Sequence, residues 1–310
     1  MSPLAAASAL SLRPTEEKDL PGLSELFVER FGHPLSTAEW RWKYQQLPGE
    51  ARSWVAEGPG GELLAHAGAL CLPARFGGRE GGIWQLTDWL GTTRGRGLRA
   101  ALVELGRRLL AELPRPGEAP WIFGFPSERH FRLGERSFGY LPLLRFHEWA
   151  GEIPSGGGAP AGVELEVADR VEGDWVEELW RSLVPAGVIR SRSYLLWRYW
   201  ARPHRFYRFY RLRAAAGSGL AVFAGVGQEA QAAELWLPPG AESGLLAIAA
   251  DLRAAGFTHW RFWPGPLRLE GLGLEPGERV FVGCRGGLGA PDPRPAAEGF
   301  LYALGDWDLI

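Results

Sequence analysis

The sequence predicts a mixed α/β protein of two similar halves, each a mixed, largely antiparallel sheet flanked by helices. Three observations carry this. Strand-like alternating runs stand next to one another and are broken by helix-spaced runs, rather than alternating with them one for one. One pattern occurs twice, in the same order. A small, Gly/Pro-rich stretch, PSGGGAPA at 154–161, separates the two occurrences and reads as a linker. The expected organisation is therefore a first domain over 1–153, the linker, and a second domain over 162–310.

The elements follow in order. LSLRPTEEKDLPGLSELF alternates over its first residues and then sets Leu23, Leu26 and Phe27 at helical spacing, which predicts a strand and a helix. A second helix carries WKYQQLP, beginning at Trp42. SWVAEG (53–58) and LLAHAGAL (63–70) read as strands, and IWQLTDWL (83–90) as a third. The turn TTRGRG leads into the helical run LRAALVELGRRLLAEL, followed by a strand, WIFGF, and a short helix over 128–138. The second half repeats the opening. VELEVADRVEGDWVEELW matches Leu10 to Phe27 at an offset of 153, and WRYWARP matches WKYQQLP at an offset of 155. Two matches in one order at nearly one offset imply a tandem repeat. FYRFYRLR and LAVFAGV supply the strands that follow.

Composition narrows the function classes. The chain of 310 residues is 46% hydrophobic and 23% charged, which fits a folded protein with a substantial core. Its formal net charge of −2 gives no general pull toward nucleic acid or an anionic membrane. Of its 34 basic residues only Lys18 and Lys43 are lysines. Cys71 and Cys284 belong to no metal-binding or redox spacing, so no metal is expected and a reducing cytoplasm fits. The opening MSPLAAASAL lacks a basic region and meets charged residues early, which argues against a signal peptide, and no run is long and apolar enough to span a bilayer. A cytoplasmic monomer or homodimer is the expectation.

The chemistry concentrates at TTRGRGLRAA. A strand, a glycine-rich turn and a helix start form an anion site: glycines let the backbone approach, the first helical N–H groups lack partners, and the helix dipole adds positive charge. Arg94, Arg96 and Arg99 can add charge-assisted bonds to phosphate oxygens. A Walker loop is excluded, because no Gly-Lys-Ser/Thr follows.

With this turn in its context, the first half resembles the GNAT superfamily of acyl-CoA-dependent N-acetyltransferases. LRPTEEKDLPGL looks like the family's first strand and helix, WLGTTRGRGLRAAL like its acetyl-CoA signature, and FGFPSERHFRLGERSFGY like its next strand and short helix ending in Gly-aromatic. The resemblance implies that Trp89 and Leu90 end the strand whose backbone pairs with pantetheine. It implies that Arg94, Gly95, Arg96, Gly97, Leu98 and Arg99 wrap the pyrophosphate of acetyl-CoA or another acyl-CoA, and that Ser127 stands where many members place a pantetheine-contacting Asn. Glu135 occupies the place of the Tyr that many members use as general acid.

Two catalytic candidates follow. Asp88, on the strand before the turn, is a candidate base acting directly or through water, and Glu135 a candidate proton shuttle. The bland readings are a capping aspartate and a solvated helix carboxylate paired with Arg132 or Arg136. The second half lacks the cradle: LPPGAESGLLAIAADL carries Glu242 and no turn arginine, so a degenerate domain that shapes the acceptor cleft is expected. The implied activity is N-acylation of a small-molecule or peptide amine. Two alternatives stand beside it: a CoA- or ligand-binding protein without turnover, and an aminoacyl-tRNA-dependent transferase. The latter is suggested by the basic-aromatic PHRFYRFYRLR, whose bland reading is an arginine-faced edge strand.

Overall fold

The structure, a computed structural model, describes residues 10–92, 98–113, 121–155, 160–168, 173–263, 269, 272–285, 292, 294–295 and 297–307. It is a mixed α+β fold with largely antiparallel pairing, as the sequence predicts. The chain divides into two compact units that are not contiguous in sequence. The first comprises 1–73, 81–143 and 282–297; the second comprises 74–80, 144–281 and 298–310. The boundary expected after residue 153 thus lies elsewhere: residues 144–153 fold with the second unit and 282–297 with the first.

In the first unit, β1 (Ser11–Pro14), β2 (Ala51–Glu57), β3 (Leu63–Phe76), β4 (Arg79–Gly91), β5 (Ile122–Gly124) and the end of β13 (Glu275–Arg285) are neighbours in that order. The β4–β5 pair is parallel, at Trp84↔Ile122 and Gln85↔Phe123. The helices are α1 (Leu20–Phe31), α2 (Thr37–Tyr44), α3 (Leu98–Glu112) and α4 (Glu128–Phe138).

Alternation on β3 separates two faces. Ala65, Ala67 and Ala69 face one side, where their small side chains admit Ala101, Leu105 and Leu109 of α3, spaced four apart along one stripe. The opposite face carries His66 and Gly68. There Val55 of β2, the register partner of His66, joins Leu23, Leu26, Phe27 and Trp40 of α1 and α2 in a second core. Ser36 caps α2 by accepting from the Glu39 amide at 3.1 Å, while Glu39 returns a bond to the Ser36 amide, so the helix start is fixed by its own sequence.

The second unit repeats the order of pairing. β7 (Glu164–Ala168), β9 (Tyr207–Ala214), β10 (Gly217–Val226) and β11 (Glu229–Trp236) are antiparallel neighbours; β11 pairs in parallel with β12 (His259–Phe262), and β6 (Leu141–Glu152) closes the order. Helices α5 (Trp175–Leu183), α6 (Arg192–Leu195, continued by a π-turn to Trp200) and α7 (Gly244–Ala254) complete it, and β8 (Gly187–Val188) pairs with the tip of β3. Leu245, Ile248, Ala249 and Leu252 of α7 pack on Tyr210, Ala221, Phe223 and Trp260. Trp42 and Trp197, which open the similar motifs WKY and WRY, are both buried.

The basic-aromatic strand β9 is not an edge, because β7 pairs along its outer side. Register sets Glu164 opposite Arg213 and Glu166 opposite Arg211, and Arg208 bonds Asp251 at 2.8 Å. Its arginines are matched to acids of the same unit. Among the described residues no helix is long and apolar enough to cross a membrane, and no cluster of His, Cys, Asp and Glu could hold a metal ion.

Candidate active site

The site is built on the last residues of β4. Parallel pairing with β5 ends at Gln85, but β4 runs on to Gly91, and its other side stays bonded to β3 as far as Thr92, whose amide donates to Leu64 at 2.9 Å. Residues 86–91 therefore continue past the end of the β5 pairing. An extended, amide-bearing chain could pair with such a strand edge. Past β4 comes the N-terminus of α3, a helix of fifteen residues whose first N–H groups point back along its axis.

Asp88 lies at the centre of this stretch, three residues past the last parallel pair, with a left-handed φ of 48°. Such a conformation costs a non-glycine residue about 1–3 kcal/mol and persists only where surroundings hold it. Three side chains hold it here. Lys43 Nζ spans both carboxylate oxygens at 2.9 and 3.0 Å, the Tyr44 hydroxyl donates to Oδ2 at 2.7 Å, and His66 Nδ1 lies 2.9 Å from the Asp88 carbonyl oxygen.

A carbonyl only accepts, so Nδ1 carries the imidazole proton and Nε2 is an acceptor; it is buried and has no partner among the described residues. Burial drives the His66 pKa down, against the pull of Asp88, and the ring is neutral. For Asp88, burial alone would raise the pKa, but the Lys43 charge and the Tyr44 hydroxyl outweigh it and hold the group below the ordinary value. The result is a buried, ionised carboxylate paired, among the described residues, with Lys43.

That burial bears on the direct form of the role expected for Asp88. Its side chain is 1% exposed, so it cannot touch an acceptor amine directly. Glu135 fits the reading of a solvated helix carboxylate. It is exposed on α4, while Arg132 pairs with Glu128 at 2.6 Å instead. Nothing brings Glu135 and Asp88 together.

Among the α4 residues that meet β4 is His130, half-buried, its ring edge-on to Trp89 at 5.3 Å between centroids. Burial, with Arg30 adding to it, pushes the His130 pKa down to about 4. Trp89 also packs on Phe138, and Leu90 is buried among α1 residues. Ser127 is the N-cap of α4, accepting from the His130 amide at 3.4 Å. Arg99 is exposed in the first turn of α3, and Leu98 opens that helix. Arg94, Gly95, Arg96 and Gly97 lie outside the described residues.

Lys43, Tyr44 and His66 were missed as site residues. The signals were present: Lys43 is one of two lysines in the chain, Tyr44 belongs to the repeated aromatic-base-Tyr motif, and His66 interrupts a strand of small residues.

The corresponding stretch of the second unit is closed. β11 pairs with β12 as far as Gln231↔Arg261, and three residues on stands Glu234. Tyr199 of the WRY motif donates to Glu234 Oε1 at 2.5 Å. Arg190 bonds Glu234 at 2.7 Å and Asp306 at 2.7 Å, and Arg198 donates to the carbonyls of Gly305 and Trp307. Beyond the pairing, Leu301–Leu304 lie against Ala233, Trp236, Phe262 and Trp263 and leave a cavity of only ≈ 60 Å³.

No protein-family model matches the chain, and no curated relative matches it in sequence. Solved structures do match its fold. A GCN5-related N-acetyltransferase from Anabaena variabilis aligns with a TM-score of 0.66 at 13% identity, over 89% of this chain and 72% of its own. One from Kribbella flavida gives 0.58 at 16% identity, over 89% and 71%, and one from Sphaerobacter thermophilus 0.55 at 15%, over 89% and 95%. The chain has the GNAT fold.

Proposed function

We propose that this chain is an acyl-CoA-dependent N-acyltransferase, with acetyl-CoA the first donor to test, and that its one active site lies in the first unit. The observation that carries the reading is the run of β4 past its β5 pairing, with α3 beginning at Leu98 and the sequence RGRG at 94–97 standing between them. A strand edge offers alternating donors and acceptors to the amides of a pantetheine arm, and the arginines with the helix N-terminus suit its phosphates. In the reaction the amine nitrogen bonds to the thioester carbonyl, the C–S bond breaks, the nitrogen loses a proton and the thiolate gains one. Backbone donors of β4 suit the oxyanion that develops on the carbonyl.

The acceptor is an amine of a small molecule or peptide, and a cytoplasmic setting fits the composition. One observation favours a second reading, a ligand-binding protein without turnover: Asp88, the carboxylate on the site's own strand, is buried. The tRNA-dependent reading loses its support, since the β9 arginines face acids of their own unit.

Acetyl-CoA-dependent thiol release across a panel of primary amines separates transfer from binding alone. Arg94→Ala with Arg96→Ala is expected to weaken CoA at least ten-fold in a folded protein, since each hydrogen bond to a charged group is worth about 1.5–3 kcal/mol. Unchanged calorimetric affinity would remove the cradle from the account.

A further inference from the structure

Asp88 is well placed but unreachable, and the structure holds one group that bridges the gap. Tyr44 closes α2, and its hydroxyl donates to Asp88 Oδ2 at 2.7 Å. Its ring stands edge-on to His66 at 5.9 Å between centroids. The hydroxyl lies over Gly68, where an added Cβ would come within 2.1 Å of it, so this approach requires glycine at 68. Unlike Asp88, Tyr44 is only half-buried.

A phenol has one proton and two lone pairs. With the proton directed to the carboxylate, what the oxygen offers a ligand is an acceptor, which suits an N–H. Lys43, bonded to both carboxylate oxygens, fixes the far side of the pair.

The second unit supplies the contrast. Tyr199 makes the same bond to Glu234, but it is 3% exposed, and Gly305 sits where an added Cβ would meet its hydroxyl at 2.2 Å. The same tyrosine–carboxylate pair is sealed there by the segment around Leu304–Asp306.

We infer that Tyr44 is a catalytic residue through which Asp88 acts: its oxygen accepts the N–H of the acceptor amine and relays that proton to Asp88. The inference rests on the acyltransferase reading above. As the C–N bond forms and the C–S bond breaks, the nitrogen proton passes to the Tyr44 oxygen and the phenolic proton to Asp88 Oδ2. The departing thiolate takes a proton from solvent, and Asp88 returns its own to solvent through Tyr44, so the sum is amide plus thiol.

The test uses acetyl-CoA and the amine that turns over fastest in the panel. Tyr44→Phe keeps the ring and leaves the Lys43–Asp88 pair intact. Its kcat should fall by about 10²–10⁴, the range for losing a general base, with calorimetric acetyl-CoA affinity unchanged. Gly68→Ala, which retains every functional group but displaces the phenol, should lower kcat in the same direction. Adding Asp88→Asn to Tyr44→Phe should cost little more than the larger single loss, because the two act as one unit.

A Tyr44→Phe enzyme with wild-type kcat, or losses that multiply in the double variant, would overturn the relay while leaving acyl transfer standing. Wild-type protein that neither binds acetyl-CoA nor releases thiol would overturn the acyltransferase reading, and the relay with it.

Discussion

Each unit presses a tyrosine against a strand carboxylate three residues beyond the last parallel pairing, yet the two carboxylates are driven in opposite directions. In the first unit Lys43 spans both oxygens of Asp88, and its charge with the Tyr44 bond keeps the group ionised against the effect of burial. In the second, Arg190 is shared between Glu234 and Asp306, so one cation faces two buried acids, and burial raises the Glu234 pKa. The basic residues of the matching motifs also part company. Lys43 turns to the strand carboxylate, while Arg198 turns to the carbonyls of the 304–307 segment. One arrangement keeps a charged group on a strand that runs past its β5 pairing; the other spends the same architecture on anchoring the chain's own backbone.

The largest effect should come from removing either cation. Breaking a buried ion pair by deleting one partner costs about 3–5 kcal/mol. Arg190→Ala should be the worse of the two, because it strands two carboxylates and Lys43→Ala only one. Urea unfolding of both variants checks the order, and a Lys43→Ala loss equal to or above that of Arg190→Ala would break the comparison.

The two glycines over the tyrosines should also behave differently. At Gly305 an added Cβ meets the Ala233 carbonyl at 2.7 Å as well as the Tyr199 hydroxyl, so backbone must move, and Gly305→Ala should lose about 1–3 kcal/mol. At Gly68 the three nearest atoms all belong to the Tyr44 ring, a side chain that can shift. Gly68→Ala should therefore lose less stability than Gly305→Ala but more activity.

Much of this fold was legible from residue spacing. The stripe Ala101, Leu105 and Leu109 announced α3, and the alternation of LLAHAGAL announced β3 with its two unlike faces. The exchange of closing strands was not legible, because periodicity marks an element but not its partner. Nothing in the residues of β13 says that Gly283 to Arg285 pair with β5 in the first unit. The misreading of β9 has the same origin: its arginines suit an edge until the register with Glu164 and Glu166 of β7 is known. At the site, the sequence located Asp88 but not its burial, which depends on Lys43 and Tyr44, more than forty residues away in sequence.

A smaller effect separates the two acids by pH. The depressed Asp88 pKa contributes stability that is present above the ordinary value of 3.8 and is lost as pH falls through the lower, folded value. The raised Glu234 pKa works the other way: stability is lost as pH rises from the ordinary 4.5 toward the folded value. In urea titrations across pH, Asp88→Asn should flatten the acid limb and Glu234→Gln the decline on the other side. The same sign of change in both variants would contradict the assignment.

The central claim is that one unit keeps an acyl-CoA site and the other is closed by its own chain. Isothermal titration of the full chain with acetyl-CoA measures this directly. The account predicts saturation at one equivalent, abolished or weakened at least ten-fold in the Arg94→Ala, Arg96→Ala variant. Saturation at two equivalents, or one equivalent that survives that variant unchanged, would contradict it.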